Sequence, residues 1–417
     1  MTIARVATVV VCVVLLLVVA FYVWLRTAAF DREVQEFVIP AISERLGRQV
    51  EVGSVQGSGF FRTAVEVVDV EVAGTTPDEP FATVGTIYMH FRPWRFILSG
   101  GTVREVSKLE VRGAHVNLVR LRNGKWNVPT PEKRPPPKHP IQIEDIRLVD
   151  GSATVRDEVK GTRVEIERIE ARGSDMDPVF TLDELTAEVL GGTLRADGAF
   201  DRSDLQDPTW RGDAWVEGVD LGKLPSKTKS VAGTLVANAH VSGHGMGPAA
   251  RRNVDGTAHV ELRDATWVHF TVGQEIEKAL GKVIKSKKLE MVPSSEKAHT
   301  SLGEPTADLR IDQGWATLEK PVLFQTPMGR MTMTGRVGLD QRLDLGGTVI
   351  VAPEFLTDLV GGKVHIPDPL PVHFRVQGTT SDPKVTDIDV GPFGEQLPGL
   401  LKQLEEKILS PFKKKKP

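Results

Sequence analysis

The chain has 417 residues, which exceeds the length that a single hydrophobic core usually supports. The sequence therefore predicts two or more units or an array of repeats. Its formal net charge of −3 lacks the strong basic excess of a phosphate-binding domain, which argues against nucleic acid as a partner. The single cysteine, Cys12, excludes an intramolecular disulfide.

An uninterrupted apolar run lies between Arg5 and Arg26. It is long enough to cross roughly 30 Å of hydrocarbon, and aromatic residues near its C-terminal end are typical of a membrane interface. We therefore predict an uncleaved transmembrane signal anchor over residues 1–27. A cleaved signal peptide is the alternative, although the run exceeds the ~7–15 apolar residues that such peptides contain.

Residues 28–128 begin with a helical pattern that ends at Gly47 and continue as β-repeats. A phrase of two alternating apolar runs around a glycine recurs at Gly113, Gly151 and Gly192, and these glycines are 151 − 113 = 38 and 192 − 151 = 41 residues apart. We interpret the phrase as a repeated hairpin with the glycine in its turn.

Two of the predicted strands change the phase of their alternation. Val65 and Val67 give way to Val68, Val70 and Val72. The run VEIERIEA, which starts at position 164, shows the same slip between Ile166 and Ile169. A slip of one residue is typical of a β-bulge, and repeated bulges curve a sheet.

The Pro-rich segment 129–140 is the clearest boundary, because its prolines favour an extended, solvated conformation. The pattern of residues 141–267 predicts further β-repeats. Residues 268–392 form a region with one internal helix, over positions 273–289, amid more alternating strands.

The pattern of residues 393–417 predicts an amphipathic helix followed by a polybasic tail. Such a segment is typical of adsorption to an anionic membrane surface. A packed terminal helix with a solvated tail is the alternative. The membrane-surface candidates are Leu400, Leu404, Ile408, Phe412, Lys413, Lys414, Lys415 and Lys416.

The sequence contains no nucleophile elbow, phosphate-binding loop, metalloprotease motif or paired-cysteine motif. His240 and His244 are four residues apart, but they continue a strand into glycines, so they diverge and do not predict a metal site. We therefore expect no enzyme activity, no cofactor and no bound metal.

The order of segments resembles that of AsmA-like and TamB-like proteins of Gram-negative envelopes. The most specific pieces are Asn123-Gly124-Lys125-Trp126-Asn127 and the stretch from Gly378 to Lys384. The resemblance implies a single-pass inner-membrane protein with most of its chain in the periplasm. It also implies a role in lipid transport or outer-membrane biogenesis, with phospholipids and possible envelope proteins as partners.

We predict a mainly β fold, in which an elongated, curved antiparallel sheet forms a groove and an N-terminal transmembrane helix and a few short helices complete the chain. The sequence pattern does not decide whether the sheet forms a groove, closes into a barrel or folds as a sandwich. The apolar side of the strands predicts binding of acyl chains; an envelope scaffold that acts through exposed strand edges is the alternative function. The lipid-groove candidates are Val65, Val67, Leu109, Val111, Val164, Ile166, Met331, Met333, Val372, Phe374 and Val376.

Overall fold

A computed structural model describes residues 43, 47–58, 64–75, 79–92, 104–128, 141–159, 161–224, 231–267, 276, 278–280, 300–359, 366–380 and 382–391. The chain divides into two compact units. Unit 1 comprises Met1–Gly212 and Pro225–Lys227, and unit 2 comprises Asp213–Leu224 and Thr228–Pro417.

The fold is mainly β, as predicted, and its strands belong to one mixed sheet of 19 strands. The strands are β1 (Val50–Ser58), β2 (Ala64–Val72), β3 (Ala82–Phe91), β4 (Arg104–Arg120), β5 (Ile141–Asp157), β6 (Thr162–Met176), β7 (Val179–Val189), β8 (Gly192–Asp201), β9 (Thr209–Asp220), β10 (Val231–His244), β11 (Val254–Trp267), β12 (Thr300–Gly303), β13 (Thr306–Asp312), β14 (Trp315–Leu318), β15 (Val322–Thr326), β16 (Gly329–Gly338), β17 (Arg342–Val351), β18 (Leu370–Thr379) and β19 (Asp382–Asp389).

Most strands pair antiparallel with the next strand along the chain, as in β1–β2, β5–β6 and β17–β18. The prediction of an antiparallel sheet is wrong at one pair, because β4 and β5 are parallel and Arg104 lies opposite Ile141. The connection after Arg120 therefore returns to the opposite end of the sheet before β5 begins. Its Pro-rich segment, residues 129–140, lies outside the described residues.

The predicted turns at Gly113 and Gly151 are wrong. Both glycines lie inside single long strands, β4 and β5, whereas only the third repeat forms a hairpin, with Gly192 at the start of β8. Gly113 has a φ of +61° and Asp150, just before Gly151, has a φ of +54°. A single left-handed residue changes the direction of the side chains without reversing the chain, so the sequence pattern of a turn and that of a kink are alike.

These kinks align across neighbouring strands of unit 1. Left-handed Asp69 on β2 faces Gly53 on β1, and left-handed Gly113 on β4 faces Gly85 on β3. Arg168 on β6, with a φ of +49°, continues the line, and the β6–β7 register shifts there. The predicted bulge in β6 is therefore confirmed. On β2 the pairing shows no register shift, because both neighbours are irregular at the same level.

Unit 2 contains a closed hydrophobic core between strands and helices. Helix α1 (Pro353–Leu359) and the helical residues Ile276 and Leu280 pack against β16, β17 and β18. Ile276 and Leu280 are fully buried, which agrees with the helix predicted over positions 273–289. Two short 3-10 helices, Leu221–Lys223 and Gly247–Asn253, flank β10.

The described part of the chain contains no helix that is both long and apolar enough to cross a bilayer. The predicted transmembrane anchor, residues 1–27, lies outside the described residues, as does the predicted amphipathic helix and tail, residues 393–417. The predicted domain boundaries at these positions stay predictions.

Candidate functional site

Directly opposed residues form a continuous apolar row across the first eight strands. Each member faces the next across a strand pair, beginning with Val55 opposite Val67 and ending with Leu185 opposite Ala196. We call this the central apolar row; it consists of Val55, Val67, Ile87, Val111, Leu148, Ala171, Leu185 and Ala196. Opposed residues share a face of the sheet, so the row is one apolar stripe.

A second apolar row crosses the same eight strands, four or five residues along each strand from the central row. It consists of Val50, Val72, Ala82, Val116, Ala153, Ile166, Val189 and Gly192. On β4, Val111 and Val116 are five residues apart, which in a regular strand would place them on opposite faces. Left-handed Gly113 lies between them and resets the alternation, so both rows lie on one side, which we call the apolar face.

The six groove candidates of unit 1 all lie on this apolar face. Val67 and Val111 belong to the central row, and Ile166 belongs to the second row. Val65 and Leu109 lie beside the central row and are linked through Met89. Val164 ends a third row that runs from Leu118 through Val155. Residues that the sequence predicted on separate strands are therefore brought together by the register.

The opposite face of unit 1 is polar, and some of its charges are paired. A row from Gln56 to Glu184 passes through Glu66, Tyr88, Glu110, Arg147 and Arg172. Glu110 is only 5% exposed and binds Lys108 and Arg112. The hydrogen bond from Lys108 and the contribution of Arg112 hold the pKa of the Glu110 carboxyl below its ordinary value. The polar side therefore resists transfer into a hydrocarbon environment.

Members of the central row are incompletely covered. From Ile87 to Ala196 every side chain of this row is half-buried. A sheet face that carries Val, Ile and Leu in successive strands normally packs against a second layer. Contiguous apolar surface that stays accessible is typical of a ligand, protein or membrane interaction site.

The five groove candidates of unit 2 have a different environment. Met331, Met333, Val372, Phe374 and Val376 are at most 7% exposed and belong to the closed core under α1 and the helical residues near Leu280. Met331 and Val372, for example, both oppose Val349, and all three are fully buried. In this structure these side chains stabilise the fold and do not form an accessible surface.

The remaining predicted site residues, from Leu400 to Lys416, lie outside the described residues. Among the described residues, no group of three or more His, Cys, Asp or Glu side chains could hold a metal ion. His240 instead pairs with Asp213, at 2.5 Å between Nδ1 and Oδ1.

Sequence reasoning missed most of the central row, including Ile87, Leu148 and Leu185. The alternation of each strand was a usable signal for these residues, but their alignment depends on strand register, and the parallel β4–β5 pair left no signal in the sequence. Sequence reasoning also assigned no role to Trp126.

No protein-family model matches the chain, and neither a curated protein nor a solved structure shows significant similarity to it.

Proposed function

We propose that this protein binds phospholipid acyl chains on the apolar face of unit 1. As a single-pass inner-membrane protein with most of its chain in the periplasm, it would contribute to lipid transport or outer-membrane biogenesis. The observation that supports this proposal best is the central apolar row, which crosses eight strands without a polar residue and is half-buried from Ile87 to Ala196.

The dimensions of the row fit this role. Strands are spaced ~4.8 Å apart, so a row over eight strands extends for roughly 30 Å. A bilayer core of about 30 Å holds two opposed acyl chains, so one chain lies within the row. The rows together would form part of the elongated, curved groove that the sequence predicts.

Burial of hydrocarbon supplies enough free energy without a specific pocket. Each methylene removed from water contributes about 0.8 kcal/mol, so covering ten methylenes contributes about 8 kcal/mol. That is comparable to a micromolar dissociation constant before the entropy of association is subtracted. Binding of this strength holds a lipid and still releases it.

The cellular location in this proposal rests on the sequence. The apolar run between Arg5 and Arg26 has the length of a membrane span. The order of segments resembles that of AsmA-like and TamB-like envelope proteins, which are anchored in the inner membrane and extend into the periplasm.

An envelope scaffold acting through strand edges is the second candidate. β19 is the last strand in chain order and pairs antiparallel with β18; a scaffold of this kind would add a partner strand at an exposed strand edge. β19 contains Pro383 and left-handed Asp387, features that natural proteins use to block edge pairing. They favour the lipid proposal over this one.

The proposed function is tested with a pair of adjacent substitutions on opposite faces. Leu148→Asp introduces a charge into the central row, whereas Val149→Asp places the same charge on the polar face, where Val149 opposes Arg112. The full-length chain is purified in mild detergent and its phospholipid content is measured after extraction. We expect Leu148→Asp to retain less lipid than the wild type and Val149→Asp to match the wild type. Equal retention by all three proteins would contradict the proposal.

A further inference from the structure

A hydrogen-bonded turn at one end of the unit 1 sheet holds a tryptophan in solvent. Trp126, in the turn that follows β4, is 46% exposed, and Val128 two residues later is 52% exposed. Exposure of so large an apolar side chain costs free energy that burial would otherwise return, so a partner that covers the ring is expected.

The turn around Trp126 is rigidly built. Gly124 has a φ of +81°, and its N–H donates to the Leu121 carbonyl at 2.8 Å. The Lys125 N–H donates to the Asn123 side chain at 2.9 Å and the Leu121 N–H donates to the Lys125 carbonyl at 2.9 Å. The conformation that exposes Trp126 is therefore fixed before any partner binds.

Asn127 anchors the far side of the turn in the sheet. It is 4% exposed, its amide oxygen accepts from the Val119 N–H at 2.8 Å, and its amide nitrogen donates to the Asn117 carbonyl at 2.8 Å. Arg48 adds a hydrogen bond to the Asn127 carbonyl at 2.6 Å. Burial of Asn127 forces its neighbours Trp126 and Val128 outward, because side chains alternate along an extended segment.

Trp126 continues the apolar face. It opposes Arg120 in an isolated antiparallel bridge. Arg120 lies two residues beyond Leu118, which starts the row through Val155 to Val164. Trp126 therefore stands on the same side of the sheet as that row, at the end of the strands.

The turn between β5 and β6 contributes further exposed residues at the same end of the unit 1 strands. Val159 is 55% exposed there. Arg122 lines an open depression of about 330 Å³ together with Arg156 and Arg163 from β5 and β6. The two turns thus form one surface, which we call the strand-end surface: Arg122, Lys125, Trp126, Val128 and Val159.

The charges of the strand-end surface match phospholipid headgroups. Arg122 and Lys125 form no ion pair with any described residue, whereas Arg156 is held by Glu79 at 2.7 Å and by Glu158 at 3.9 Å. The depression also contains Asp157 and Glu158, but Asp157 pairs with Arg120 at 3.1 Å and Glu158 pairs with Arg156 at 3.9 Å. The cations left for a lipid are therefore Arg122 and Lys125, which suit the phosphates of an anionic phospholipid surface.

We infer that the strand-end surface docks on a bilayer that contains anionic phospholipid, with Trp126 at the interface and Arg122 and Lys125 on lipid phosphates. Tryptophan and basic residues are the side chains that membrane interfaces favour. Docking there would place the row from Leu118 to Val164 next to the lipid layer. This inference rests on the proposed function for its purpose, since it names the end at which lipid reaches the apolar face.

A photo-crosslinking amino acid at position 126 tests the inference, with position 215 as the matched control. Trp215 on β9 is also 46% exposed, so the two sites differ in location and not in accessibility. The full-length chain carrying either substitution is reconstituted into vesicles of phosphatidylethanolamine with some phosphatidylglycerol, irradiated, and analysed by mass spectrometry. We expect lipid adducts at position 126 and few at position 215. Replacing Arg122 and Lys125 by Gln should reduce the adducts at 126 about thirtyfold, because each basic residue near an anionic lipid surface contributes about 1 kcal/mol.

Equal lipid labelling at both positions, or labelling at 126 that goes only to protein, would overturn the inference. The measurement also separates it from the proposed function. Lipid bound on the central row without adducts at 126 would overturn docking alone. Adducts at 126 without lipid on the central row would contradict the acyl-chain path and leave docking intact.

Discussion

Phe374 on β18 lies over Gly347 on β17, and the two residues are directly opposed in the antiparallel pair. A β-carbon added at Gly347 would overlap the phenyl ring. The glycine thus makes room for a side chain that is 2% exposed at the centre of the unit 2 core. An aromatic ring that covers a glycine on the next strand is a known way to stabilise a sheet.

Removal of this ring should destabilise unit 2. We expect Phe374→Ala to cost about 3–5 kcal/mol, because it leaves a cavity among Met333, Val372 and their neighbours. Ile350→Ala on β17 is the control, since Ile350 is 48% exposed and its truncation should change stability by about 0.5 kcal/mol or less. Hydrogen exchange of β16 to β18 and urea unfolding of the full-length chain measure both effects. Equal effects of the two substitutions would refute the closed core.

The line of kinks in unit 1 predicts a cost for alanine at Gly113. Its φ of +61° disfavours any side chain, although a β-carbon would have open space there. We therefore expect Gly113→Ala to lower the free energy of unfolding by about 1–2 kcal/mol. Gly346→Ala is the control, because Gly346 has no left-handed φ and its β-carbon would be in ordinary contact with Thr334. Urea unfolding compares the two; an unchanged midpoint for Gly113→Ala would contradict the kink.

The alternation of the strands was predictable, whereas the cover over each face was not. Val65 with Val67 and Met331 with Met333 show the same pattern in the sequence. The first pair is half-buried on the apolar face, and the second lies in a closed core. The difference comes from α1 and the helical residues near Ile276, which are distant in the sequence from β16. Local periodicity contains no information about such a layer.

The interpretation of glycines failed for a related physical reason. Gly113 and Gly192 occupy similar phrases, but Gly113 bends one strand and Gly192 begins another. A residue in the left-handed conformation can lie in a kink within a strand or in a turn between two strands. Only the pairing with neighbouring strands shows which of the two it forms. The parallel pairing of β4 with β5 was unpredictable as well, because the strands themselves alternate like antiparallel ones.

The polar face predicts a pH dependence. Since the pKa of the buried Glu110 carboxyl is lowered in the folded state, chiefly by Lys108, its stabilising contribution is complete above the unfolded-state pKa. That contribution is lost as the pH falls through the folded-state pKa. We expect Glu110→Gln to destabilise the protein by about 1–3 kcal/mol at neutral pH and by much less in acid.

Glu66→Gln is the control for this effect, since Glu66 lies in the same polar row and forms no ion pair with a described residue. Urea unfolding at neutral pH and at about pH 3, below the ordinary range of glutamate pKa values, compares the variants. A difference between wild type and Glu110→Gln that did not shrink in acid would show that the carboxylate is not the stabilising group.

The most direct test of acyl-chain binding on the apolar face is a photo-crosslinking scan across the strands of unit 1. The crosslinker is placed at successive members of the central row, Ile87, Val111, Leu148 and Leu185, in the full-length chain expressed in cells. The adjacent positions Thr86, Arg112, Val149 and Thr186 are the controls; the first three oppose one another in a separate row. We predict lipid adducts at all four central-row positions and weak labelling at the controls. Equal labelling of both sets, or no lipid adducts on the central row, would contradict the account.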